Sequence, residues 1–156
     1  GLALLAETTH RTGVPATSAA EDVVAAFHRL GARSVAVASR WAPQLNQRVA
    51  AYLEHGGLQV AAITSEGQWA RQAFAMTVER GLTLAIRLGR EAMALAPKAD
   101  ALFLPGGTWR SLAAIPLLEE EFGVPVVINQ TALVWRVMTL GAAPPVAGWG
   151  RLLEQP

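Results

Sequence analysis

The stretch Leu104–Trp109, LPGGTW, places two glycines and a threonine directly after the apolar run Ala99–Leu104. Backbone N–H groups crowded at a strand-to-helix turn form a concave donor set that suits an anion such as a carboxylate. Gly106, Gly107 and Thr108 are therefore the first candidates for ligand binding. The same residues also read as a plain tight turn, with Thr108 or Ser111 capping the helix that follows. Pro105 stands at the strand end itself, where an open α/β sheet looks into its ligand crevice, and it brings no acid, base or nucleophile. The chain has no cysteine, so no thiol elsewhere in it takes that place.

A second polar group, Asn129, Gln130 and Thr131, ends the next strand on the same sheet edge. It suits ligand contact, and Thr131 equally suits a helix cap. Thr17 and Ser18 either face the crevice or cap the helix at Ala20. Trp41 and Trp109 could wall an aryl or alkyl group, or simply pack the core. His10, His28 and His55 lie away from strand ends and lack metal-ligand spacing with nearby acids. Glu66 is the one carboxylate placed to reach a crevice as a general base. Glu119, Glu120 and Glu121 read as a solvated helix face. No GxGxxG follows a strand and no phosphate-binding P-loop is present, which removes the usual nucleotide sites.

Elements that could hold these groups alternate along the chain. Apolar runs predict strands at Val14–Ala19, Arg33–Ser39, Leu58–Ser65, Ala99–Leu104 and Pro125–Asn129. Their lack of strict alternation suits a parallel sheet covered on both faces. Between them, Ala20–Leu30, Pro43–His55, Thr77–Ala96, Ser111–Phe122 and Thr131–Leu140 carry helical spacing. Gly56, Gly123 and Gly141 or Pro97 follow the last four of these as stop signals. Gly1–Thr12 looks like the tail of a helix. Glu66–Met76, with Trp69, is long enough for a flap over a site, or is an irregular helix start. Strand-helix alternation with short links predicts right-handed βαβ units and a doubly wound sheet.

Composition narrows the functional classes. Hydrophobic residues make up 52% and charged residues 16%, which is apolar for a free-standing domain and points to packing within a larger assembly. The net charge is +1, with scattered arginines and no basic block, so nucleic acid is not an expected partner. No apolar run reaches the roughly 18 residues that span a bilayer. Neither membrane association nor a disulfide framework is expected, and the chain reads as cytoplasmic.

Several motifs in order carry a resemblance. GVPATSAAEDVVAAFHRLGARSVAVASRW (Gly13–Trp41) and RWAPQLNQRVAAYLEHGGLQV (Arg40–Val60) resemble the aspartate/glutamate racemase superfamily. More narrowly, they resemble its arylmalonate decarboxylase and maleate isomerase branch. LPGGTWRSLAAIPLLEEEFGVPVV (Leu104–Val127) resembles that family's strand, catalytic turn and helix. INQTALVWRV (Ile128–Val137) and GWGRLL (Gly148–Leu153) resemble its small-polar patch and closing segment. The resemblance implies a cofactor-independent enzyme with two pseudo-symmetric α/β domains and a small carboxylic acid bound between them. Members use one or two cysteines, one per domain, and hold the enolate-like intermediate with backbone N–H groups and small hydroxyl residues. Two departures stand out. Pro105 occupies the position of the second-domain cysteine, and the strand carrying the first-domain cysteine would precede Gly1. Trp41 stands where members commonly place a tyrosine.

The expected fold is α/β, a flavodoxin-like three-layer αβα sandwich on a parallel sheet, one complete domain with part of a second. Residues 33–139 would form the complete domain. Residues 1–32 would be a remnant of the N-terminal domain, and residues 140–156 a tail returning to it. The expected activity is decarboxylase- or isomerase-like on a small carboxylic or dicarboxylic acid, without a cofactor, its proton carrier lying in the N-terminal part. The expected binding residues are Trp41, Gly106, Gly107, Thr108, Asn129, Gln130 and Thr131, and no metal is expected. The alternatives are a carboxylate-binding or regulatory protein that lost the chemistry, and an assembly scaffold. Homo-oligomerisation suits all three.

Overall fold

The structure, a computed structural model, describes residues 2–155. Gly1 and Pro156, at the two ends of the expected domain remnants, lie outside the described residues. Four parallel strands run in the order β2-β1-β3-β4: β1 (Ser34–Trp41), β2 (Gln59–Gln68), β3 (Ala101–Leu104) and β4 (Val126–Ile128). β1 and β3 are central, and their side chains are buried on both faces, as their unbroken apolar runs require.

Helices cover both faces. On one, Ala36, Ala38, Leu102, Leu104 and Ile128 meet α5 (Val78–Leu95) and α6 (Ala114–Phe122). On the other, Val35, Val37, Phe103 and Val127 meet α2 (Ala19–Arg29), α3 (Pro43–His55), α7 (Asn129–Leu140) and α8 (Arg151–Glu154). This is the expected three-layer sandwich. An amphipathic helix α1 (Leu2–Thr12) precedes it, matching the predicted helix tail. Gly89 sets the spacing of α5 on α6, since an added Cβ would lie 3.0 Å from Leu118.

The predicted strand at Val14–Ala19 is not one. Residues 14–18 have no regular structure, and α2 already begins at Ala19. Side-chain chemistry wins over the apolar pattern here. The Ala16 N–H donates to Thr9 Oγ1 (2.9 Å), the Thr17 hydroxyl donates to Asp22, and Ser18 caps α2 by accepting from the Glu21 N–H at 3.3 Å. Thr17 and Ser18 are therefore occupied at a helix start.

Glu119 is not on a solvated face. It is buried, and its carboxylate accepts from the Val126 N–H (2.9 Å) and the Arg151 N–H (3.0 Å), tying α6 to β4 and to α8. Burial nonetheless pushes its pKa up, with those N–H groups opposing the shift. Gly150 makes the docking of α8 possible: it has φ +102°, and a Cβ there would sit 2.6 Å from Ile115. At the other end of the sheet, Asp100 accepts from the N–H groups of Arg33 (2.9 Å) and Ser34 (2.8 Å), which joins the starts of β1 and β3 and lowers its pKa.

The stretch expected as a flap is partly strand. β2 continues through Glu66 to Gln68, followed by a short helix α4 (Ala70–Phe74) and the Thr77 cap of α5. Among the described residues, no helix is long and apolar enough to cross a membrane.

Candidate active site

Parallel strands end together, so β1, β3 and β4 deliver Trp41, Pro105 and Asn129 to one edge of the sheet. A cleft of about 420 Å³ opens there, on the α2/α3 face. Trp41, Pro105, Gly106 and Asn129 form its strand-end floor, and Val23, Leu45, Val49 and Phe103 give it an apolar wall. Two titratable side chains line it, Arg48 and Tyr52. Burial, then Glu21 and Asp22, push the Tyr52 phenol above its usual range, so it stays protonated at neutral pH.

The turn after β3 is stitched to the start of α7. The Gly106 N–H donates to Asn129 Oδ1 (2.8 Å), and Gln130 Nε2 donates to the Gly107 carbonyl (2.7 Å). One N–H of the anticipated anion nest is thus already satisfied within the chain. Gly107 and Thr108 are exposed, and their N–H groups have no partner among the described residues. They turn away from the cleft, toward cavities on the α5 side. Thr131 is buried, and its hydroxyl closes on Ile128 as a helix cap, accepting from the N–H at 3.2 Å and donating to the carbonyl at 3.1 Å. Of the sequence candidates, Trp41, Gly106 and Asn129 therefore meet in the cleft. Gly107, Thr108 and Gln130 lie on the other side of the turn, and Thr131 sits within the helix start.

The remaining candidates have structural work. Trp109 is 1% exposed and donates its indole N–H to the Gly81 carbonyl (3.0 Å), so it is core. Glu66 is paired with Arg87 on the β2/α5 side. His28 Nε2 lies 2.8 Å from the Gly56 carbonyl. Glu121 pairs with Arg90 (2.9 Å).

Sequence reasoning missed Arg40. It is 1% exposed, and no carboxylate lies within ion-pair distance among the described residues. Its guanidinium donates to the Ala73 carbonyl (2.9 Å) and to Thr108 Oγ1 (2.6 Å), and its Nε–H has no partner. It stacks on Trp41 with 4.7 Å to the ring centre and approaches Trp109 at 5.8 Å. Burial lowers its pKa from the ordinary value. The signal was in the sequence: Ala36, Ala38 and Arg40 alternate along β1 and so share one buried face.

A cleft at the carboxyl edge of a doubly covered parallel sheet, floored by a strand–turn–helix, defines a doubly wound α/β protein, a class in which small molecules bind at the strand ends. The arylmalonate decarboxylase (Amdase) family matches residues 2–153, and the chain belongs to that family. Arylmalonate decarboxylase of Bordetella bronchiseptica is 33% identical over 146 residues, covering 92% of this chain and 60% of that protein. This chain thus spans about three fifths of that curated relative. A crystal structure of arylmalonate decarboxylase superposes with a TM-score of 0.87 at 31% identity, covering 99% of this chain and 68% of that one. A Nocardia farcinica maleate cis-trans isomerase with a covalently bound succinylcysteine intermediate superposes with a TM-score of 0.80 at 27% identity, covering 97% and 61%. The resemblance read from the motifs is borne out, including its decarboxylase and isomerase branch.

Proposed function

We propose that this chain provides the binding half of a cofactor-independent enzyme acting on a small carboxylic or dicarboxylic acid through an enolate-like intermediate. The observation that carries the reading is the cleft itself. It has the volume for a small acid with an apolar substituent, the Trp41 side chain in its lining, and Pro105 where the resemblance places a thiol. In the Nocardia isomerase a succinylcysteine intermediate forms on a thiol. This chain has none.

In a decarboxylation the bond from the α-carbon to one carboxylate breaks. Its electron pair remains as an enolate on the other carboxylate, CO2 leaves, and a proton is added to carbon. The apolar wall favours loss of the charged group, because a desolvated carboxylate is costly while CO2 is neutral. Donors held in place stabilise the enolate oxygens without reorganising. On this reading Trp41 is such a donor, and residues 1–32 and 140–156, whose α2 and α8 also cover this sheet, meet the rest of an N-terminal domain carrying the proton donor. One proton donor favours decarboxylation over racemisation, which normally needs a base on each face. Self-association belongs to the same proposal, since the high apolar content asks for further covered surface.

The test is turnover in deuterium oxide by the protein isolated at its natural length. Malonates, maleate and amino acids are supplied, and deuterium at the α-carbon of a product acid is the expected result. No turnover and no exchange across that panel refutes the enzyme reading. Thermal stabilisation by the same acids without turnover would instead support a carboxylate-binding protein. That second reading is favoured by one observation: among the described residues, no cysteine, histidine, lysine or carboxylate lines the cleft.

A further inference from the structure

Behind the turn that floors the cleft, on the α5 face of the sheet, lies a separate cavity of about 200 Å³. Arg40, Arg110, Thr77, Thr108 and Trp109 line it, together with Ala73 from the short helix α4. Its wall is mostly polar and includes two arginines and, among the described residues, no carboxylate. Thr77 caps the N-terminus of the 18-residue helix α5, so the positive end of that helix faces the same space.

We propose that this cavity is a binding site for a small oxyanion, with the Arg40 guanidinium as its principal ligand. A fully buried cation without a carboxylate is costly to hold, and one partner of a buried pair left alone is strongly destabilising. Two of its five N–H groups are used, on Ala73 and Thr108, which fixes the plane of the fork. The Nε–H lies against Gly106, while Nη1 and Nη2 each keep a second N–H without a partner among the described residues, and a guanidinium fork matches the two oxygens of a carboxylate or phosphate. The cavity has room for an anion the size of phosphate or malonate. The site has its own lining: none of the residues around it also lines the cleft, and the two meet only where Arg40 stacks on Trp41.

The probes are malonate and inorganic phosphate, titrated calorimetrically at constant ionic strength set with chloride. With the cleft filled by Val49→Trp, so that malonate bound there is not counted, one-to-one binding is expected for one or both, and the stronger probe identifies the anion class. Arg40→Met should weaken binding by about 10- to 100-fold, the loss of a charged hydrogen bond. Without anion it should melt no lower than the wild type, since it removes an uncompensated charge. If that variant does not fold, Arg40→Lys keeps the charge without the fork and should still lose about tenfold. Val49→Trp, which fills the cleft, should leave this binding intact. The proposal is overturned if neither probe binds, if Arg40→Lys binds as tightly as the wild type, or if Val49→Trp abolishes binding while Arg40→Met does not. The last outcome would place the anion in the cleft and leave the functional proposal standing.

Discussion

Gly106→Ala and Gly107→Ala, made side by side, test whether the turn under the cleft is held in a conformation that only glycine adopts. Gly106 has φ +129°, while Gly107 is not in the positive-φ region. Space is not the obstacle at either position. A Cβ on Gly106 would sit 3.5 Å from the Trp41 ring and 3.7 Å from Arg40 Nε, and one on Gly107 would meet nothing within 4 Å. Both substitutions restrict the unfolded chain equally, stabilising by about 0.4–1 kcal/mol. That contribution cancels in the difference, leaving the backbone strain of about 1–3 kcal/mol for an L-residue at Gly106. For a chain of this length the gap corresponds to roughly 3–10 °C in melting temperature. Urea denaturation with a common m-value is the assay, backed by thermal melts. Equal stability of the two variants would refute the argument, because it would mean that the turn reaches another conformation without cost.

Two carboxylates should respond to acid in opposite senses. The pKa of Asp100 is lowered in the folded protein by the N–H groups of Ser34 and Arg33. Its contribution is full above the unfolded value of about 3.9 and is lost as pH falls toward the folded value. Asp100→Ala should therefore cost about 1 kcal/mol at pH 7 and progressively less in acid, read from urea midpoints across pH. Glu119 has a raised pKa, so its protonated form suits the fold better, and stability is lost as pH rises through the folded value. Glu119→Ala strands the N–H groups of Val126 and Arg151 at about 1–3 kcal/mol each, and its deficit should widen in acid. A deficit that narrows would overturn the assignment.

What the sequence disclosed follows from which interactions are local. β1, β3 and β4 were legible because all three are buried on both faces and so read as unbroken apolar runs, and their turns carry glycine or proline. Val14–Ala19 was misread because apolar content cannot see hydroxyls that prefer a helix start. Glu119 was misread because three acids in a row look solvated, although it lies one turn beyond Ile115 on the buried face. The cleft was visible only as a list of strand-end residues. Which side of the turn each one occupies depends on the long-range bonds from Asn129 and Gln130, and no local pattern encodes those. Arg40 escaped because a single charge at a strand end looks like the strand leaving the core.

The turn at Gly106 has a cavity on each side and little more than one backbone between them. Asn129 pulls on its N–H from the cleft side, while Arg40 holds Thr108 from behind. Filling one chamber leaves this partition standing, but changing the partition itself does not: a Cβ at Gly106 would touch Trp41 of the cleft at 3.5 Å and Arg40 Nε behind it at 3.7 Å, so a single methyl group there is felt in both.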